Sequence, residues 1–333
     1  MRDHTTVNRR KVFYIPGFDP FPPRRYRELY RTESQKQAGI SGYSITQSPL
    51  MGAERFGWQV VGEIDGAVCT TDIEVLEWSD LVKSSMADGI AATYAHMIRT
   101  AWIYISTGTL FDIVKLRKGP VIAALYPVGF LVLKAAFALF CAYGAFQVLS
   151  PVVGVFAYLS IIVIWPILAL FRRWDGKVFA YYLMQDYAHS AQHYGAYPDE
   201  LRDRLDQFGT TIASAMQDRQ WDEILIIGHS SGAHLATSVL ADLIRAGHTA
   251  RSHAPIGFLT LGQVFPMVAF LPKADQLRAD MICVGESGDL TWVDVTAPGD
   301  GCTFALCDPL AVTGLSGDGQ RGLWSCPLRF RKR

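Results

Sequence analysis

Hydrophobic positions along the chain follow three patterns. Short apolar blocks bounded by turn residues read as buried strands. Residues 10–18, RKVFYIPGF, are one such block and end in a Pro-Gly turn. Residues 56–78 read as two strands joined at Asp65-Gly66, a strong hairpin signal. Residues 222–228, 254–262 and 278–285 give three more strands, each closed by a glycine. The second pattern is helical. Residues 22–37 start with prolines and carry mixed charge, and residues 79–105 open on a capping-type serine. Residues 178–218 read as two helices with a break near Gly195 and Pro198; the second places Leu201, Leu205, Phe208, Ile212 and Met216 on one face. Residues 231–247 form a further helix that stops at Gly247. Strands alternating with helices predict an α/β fold with a mostly parallel sheet covered by helices.

The third pattern is continuous apolarity. Two runs, 120–149 and 151–171, have the length of membrane-spanning helices, and Lys134 is the only charged residue between 119 and 171. The first span is placed at about 130–149, so that Lys134 snorkels toward the headgroups. Lys115, Arg117 and Lys118 precede the pair, Arg172, Arg173 and Lys177 follow it, and the connection at 147–154 is uncharged. Both basic flanks on one side predict a two-helix transmembrane hairpin with both polar parts of the chain facing the cytoplasm. A helical hairpin buried in a soluble core is the alternative, and its length and lack of charge disfavour it. The organisation that follows is 1–118 and 172–314 as two parts of one α/β domain, 119–171 as the hairpin, and 315–333 as an irregular basic tail.

Formal net charge is zero, so nothing argues for nucleic acid or for steering of an acidic substrate. The six cysteines include no C-x-x-C pair and read as free thiols in a reducing compartment. The N-terminus has no apolar stretch ahead of the first strand and does not read as a secretory signal.

The chemistry gathers at residues 224–236, ILIIGHSSGAHLA. A strand, then Gly228-His229-Ser230-Ser231-Gly232, then a helix is the context that a G-x-S-x-G nucleophile elbow needs. The turn is tight, so the positions two before and two after the nucleophile must be small, and Gly228 and Gly232 satisfy this. Ser230 is the candidate nucleophile. The backbone N–H of Ser231, at the helix start, points to where an oxyanion would form.

With these residues the chain resembles the α/β-hydrolase superfamily of serine esterases and lipases, over its two polar parts and not over the hairpin. The resemblance implies a second oxyanion donor in the turn after an early strand. Here that turn is Pro16-Gly17-Phe18, which makes the Phe18 N–H the donor; Pro16 stands where the family often has histidine. It also implies a catalytic acid after a late strand. Asp289, Asp294, Asp300 and Asp308 compete. The segment from Trp292 through Asp294 to Asp300-Gly301 is similar to family segments in which a tryptophan precedes the acid, which favours Asp300 and then Asp294. Turn chemistry at 298–301 explains the same residues without catalysis.

The order nucleophile, acid, histidine then breaks down. The eight histidines are His4, His96, His189, His193, His229, His234, His248 and His253, so none follows Asp300. His229 and His234 flank the elbow at packing positions. His189 and His193 have zinc-compatible spacing but no H-E-x-x-H glutamate, and read as ordinary helix histidines. No metal or cofactor is implied. The tail after residue 315 stands where another strand and a histidine loop belong, so a truncation or frame shift is expected, with a non-catalytic hydrolase fold as the alternative. The overall expectation is a membrane-anchored serine hydrolase, with the lipid bilayer and a small ester-like substrate as partners. A membrane-associated scaffold or binding protein on the same fold is the rival.

Overall fold

The computed structural model describes residues 6–52, 54–86, 89–116, 118–297, 303–314 and 323–327. The chain divides into a sheet-bearing unit, Met1–Ser84 with Ala196–Arg333, and a helical unit, Ser85–Gly195. The insertion is thus wider than its apolar stretch. The sheet-bearing unit opens with strand β1 (Arg9–Ile15), helix α1 (Arg24–Ser41), strands β2 (Ser44–Pro49), β3 (Gly57–Ile64) and β4 (Ala67–Val75), and helix α2 (Ser79–Ser85). The helical unit carries α3 (Ile90–Ser106), α4 (Thr109–Lys115), α5 (Lys118–Val153), α6 (Ile164–Arg173) and α7 (Ala180–Ala191). The chain then returns as α8 (Asp199–Gln217), β5 (Glu223–His229), α9 (Ser231–Arg245), β6 (Ile256–Leu261), α10 (Phe265–Ala269), α11 (Asp275–Glu286), β7 (Leu290–Thr296), α12 (Pro309–Val312) and β8 (Leu323–Pro327).

The strands form one mixed sheet in the order β2-β3-β4-β1-β5-β6-β7-β8. Among the described strands only the β2–β3 and β3–β4 pairs are antiparallel. The β3–β4 hairpin closes at Asp65 (φ 50°) and Gly66 (φ 79°), both left-handed as a type I′ turn requires. One sheet face buries Val12, Trp58, Val60, Ile73 and Val75 beneath Tyr26 and Tyr30 of α1. Helix α9 has twelve of its fifteen residues buried. A helix that enclosed must be apolar or small nearly all round, and its Ala and Leu content meets that demand.

Four expectations are corrected. Residues 278–285 are not a strand: they belong to α11, where Leu277, Met281 and Val284 are buried at helical spacing. A short apolar run such as MICV fits either period. The true strand is β7, whose alternating burial begins at Leu290. Residues 79–105 form two helices and not one. The tail is not wholly irregular, because β8 pairs parallel with β7 from Trp292 opposite Leu323 to Thr296 opposite Pro327.

The fourth correction concerns the apolar segment. Among the described residues a single run, Leu125–Lys177, is long and apolar enough to cross a membrane, and only 17% of its most apolar window is buried. The two equivalent α-helical spans expected from the sequence are absent. Helix α5 is followed at Gly154 (φ 57°) by a ten-residue 3-10 stretch, Gly154–Val163, and by the short α6. This return packs back along α5: Phe146 meets Tyr158 at 5.0 Å and Phe137 meets Phe171 edge-on at 5.8 Å. Small residues, Ala138, Ala142, Ala157 and Ser160, are buried in the segment, where they let its two arms approach closely. Lys134 does not snorkel. It is buried, with Nζ 3.2 Å from Asp175 Oδ1 and 4.8 Å from the Tyr181 ring centroid. Asp175 in turn accepts the N–H groups of Ala180 and Tyr181, at 3.1 and 2.9 Å, at the start of α7.

Candidate active site

Ser230 lies between the last residue of β5 and the first of α9, with φ 54° and ψ −121°. These are the angles of the first central residue of a type II′ turn, a position that favours glycine. The serine is held there from both sides: its N–H donates to Leu261 O at 2.9 Å and its carbonyl accepts from Ala233 N at 3.0 Å. Its hydroxyl makes no capping hydrogen bond to the helix.

The flanking glycines are required by space. A Cβ on Gly228 would lie 2.7 Å from Ala233 Cα and 2.7 Å from Gly232 O. A Cβ on Gly232 would lie 2.2 Å from Ile15 O and 2.5 Å from Pro16 O. Backbone cannot yield as a side-chain tip can, so both positions exclude any larger residue. The second contact also shows that the end of β1 presses on the start of α9.

The turn after β1 is brought to the serine. A Cβ on Gly17 would stand 3.0 Å from Ser230 Cβ and 3.5 Å from its Oγ. Trp78 fixes this turn, donating from Nε1 to Pro16 O at 2.9 Å, and its ring meets the buried Phe18 ring edge-on at 6.1 Å. Trp78 is a supporting residue that the sequence pattern did not single out, since a tryptophan after a strand has no local signature. Ser231 is buried at the first position of α9, where helix N–H groups favour negative charge.

The sheet topology explains why these pieces meet. From β1 the strand order runs to β4 on one side and to β5 on the other. Both neighbours are parallel to β1. Crevices at the carboxyl ends of strands at such a reversal are where open α/β sheets bind ligands. Ser230 follows β5, and Pro16-Gly17-Phe18 follows β1, at that point.

The histidines beside the elbow are engaged elsewhere. His229 is exposed and stacks on Tyr14 at 6.4 Å. Burial, reinforced by Asp19, pushes the Tyr14 phenol well up. His234 Nδ1 shares a 2.8 Å hydrogen bond with the Tyr197 hydroxyl, to which Ser238 also donates at 3.3 Å. Burial pushes the Tyr197 phenol up, so it stays protonated as a hydrogen-bonding partner. His189 is pushed down to about 4 by burial, with His193 adding to the effect. Among the described residues no three His, Cys, Asp or Glu side chains converge as a metal site.

Three of the four contested aspartates have structural partners. Asp289 accepts from Thr249 Oγ1 at 2.8 Å. Asp308 caps α12 by accepting from Leu310 N and Ala311 N. Asp294 is buried in β7 opposite Thr260 of β6, whose hydroxyl donates to its Oδ1 at 2.6 Å. Burial pushes the Asp294 carboxyl up to about 6, opposed by the Thr260 hydrogen bond and assisted by Asp308. Asp294 is therefore a sheet-interior group whose carboxyl is already engaged by Thr260. Asp300 lies outside the described residues.

No family model, no curated protein and no solved structure matches the chain.

Proposed function

We propose that the sheet-bearing unit is a serine-hydrolase frame with Ser230 as the nucleophile for an ester-like carbonyl. The observation that carries this is the glycine-type backbone of Ser230, held between two glycines that admit no Cβ, at the carboxyl edge where the strand order reverses. A serine costs energy in that conformation, and such strain concentrates at functional sites. In the reaction, Ser230 Oγ bonds to the carbonyl carbon while the Ser231 and Phe18 N–H groups face the developing oxyanion. The alcohol leaves with the serine's proton, and water then cleaves the acyl-serine, releasing the acid and restoring Ser230. Asp300 keeps the role of orienting acid. The reaction needs a base to carry the proton, and the sequence holds no histidine beyond His253.

That gap favours a second reading, a binding protein on the same frame. A fluorophosphonate separates the two. A single adduct on the Ser230 peptide, lost in Ser230→Ala, supports the hydrolase. A folded protein that takes no adduct under any condition supports the binding protein.

The helical unit is proposed to anchor the chain in a lipid bilayer. The support is an apolar segment that stays largely exposed, with Phe140, Val152 and Phe156 each about 70% exposed or more. A buried core hairpin would hide these side chains. Basic residues flank the segment at both ends, which supports placing the polar parts on the cytoplasmic side. Flotation of the full chain with vesicles tests the anchor. Nearness to lipid makes a lipid-like ester the favoured substrate class.

A further inference from the structure

A groove of about 630 Å³ opens on the side of the helical unit. That volume lies within the range of small-molecule sites, about 300–1,000 Å³. One wall is a stripe of α5 at helical spacing: Phe130, Leu133, Phe137 and Phe140. The other wall is Phe171 and Trp174. The lining is apolar but for Lys134, whose charge is already matched by Asp175. The groove therefore has no unspent charge inside it and suits hydrocarbon. Leu133, Phe140 and Trp174 are each more than half exposed, so nothing among the described residues covers it.

The charge beside the groove is unspent. Arg172 and Arg173 follow Phe171 directly, at the end of α6, and both are exposed. Among the described residues neither has an ion-pair partner, so both guanidinium groups are available to an anion from outside the chain. Trp174 beside them is the residue type that settles at a membrane–water boundary. An apolar slot ending at a boundary tryptophan and two unpaired guanidinium groups complements an acyl chain with an anionic phosphate headgroup.

We infer that the groove holds one acyl chain of an anionic phospholipid drawn from the surrounding bilayer, with its headgroup on Arg172 and Arg173. The inference rests on the membrane anchoring proposed above. Hydrocarbon gains little by moving from lipid into an apolar slot. Selectivity then comes from the headgroup, where a basic residue near an anionic surface contributes enough for a preference on the order of tenfold from two arginines.

The test uses the full chain reconstituted in nanodiscs of equal phosphatidylglycerol and phosphatidylcholine, with retained lipid read by native mass spectrometry. The expected result is a bound phosphatidylglycerol enriched about tenfold. Arg172→Gln with Arg173→Gln abolishes the enrichment, and Leu133→Trp, which fills the slot, lowers the number of lipids retained. Circular dichroism confirms that each variant keeps its helices; should Leu133→Trp lose them, the arginine pair alone decides. No enrichment in the wild type, or equal enrichment in the arginine variant, overturns the lipid site. Failure of the wild type to float with vesicles overturns the anchor instead, so the two failures are distinct.

Discussion

Replacing Ser230 by glycine should stabilise the protein, although it removes the proposed nucleophile. At φ 54° and ψ −121° a residue with a Cβ is strained; such positions cost about 1–3 kcal/mol. Glycine relieves this but loses about 0.5–1 kcal/mol through the greater freedom of its unfolded chain. The balance is a gain of about 1 kcal/mol, or about 2–4 °C in Tm for a domain of this size class. Ser230→Ala is the matched control, because it loses the hydroxyl and keeps the Cβ, and should shift Tm by less than about 1 °C. The assay is thermal unfolding of the full chain in detergent, followed by near-UV circular dichroism. A Ser230→Gly protein no more stable than Ser230→Ala would mean that the serine is unstrained, and the elbow would lose its physical basis.

Gly232→Ala should cost at least about 1–3 kcal/mol, since its Cβ would overlap the Ile15 and Pro16 carbonyls, and should also abolish adduct formation at Ser230; a Tm near wild type contradicts this. Lys134→Ala strands the buried Asp175 carboxylate and should cost about 3–5 kcal/mol, near the lower end because backbone N–H groups still reach it. Adding Asp175→Asn should recover part of that loss in denaturant titrations, and additive losses would dismiss the pair. Asp294 binds its proton more tightly folded than unfolded, so its contribution favours the folded state at low pH and fades as pH rises from about 4 to about 6. The rise from 3.8 to about 6 corresponds to about 3 kcal/mol. Asp294→Asn should flatten stability across that window, and an unchanged slope contradicts the assignment.

The tight strand–turn–helix at Ser230 was legible because its demands are local. Two glycines, a serine and an apolar strand sit within nine residues, and the steric reason for each survives in the contacts of Gly228 and Gly232. The β3–β4 hairpin was legible for the same reason, through the Asp65-Gly66 turn. Residues 278–285 misled because four apolar residues in a row carry no period, and the neighbouring helix-compatible charges decided the outcome. β2 and β8 escaped because edge strands are short and need little apolar patterning. The fate of Lys134 depended on Asp175, 41 residues away, a pairing that hydropathy does not encode. The placing of Trp78 against Pro16 is likewise a long-range fact.

The central claim is the proposal that Ser230 is a presented nucleophile. Fluorophosphonate adduct formation, timed on the full chain with and without added imidazole, tests it most directly. Free imidazole supplies a proton carrier from solution to the proposed nucleophile. The account predicts slow, single-site labelling at Ser230 that imidazole accelerates, and none in Ser230→Ala. Labelling that persists in Ser230→Ala, or a folded wild type that stays unlabelled at any imidazole concentration, would contradict it.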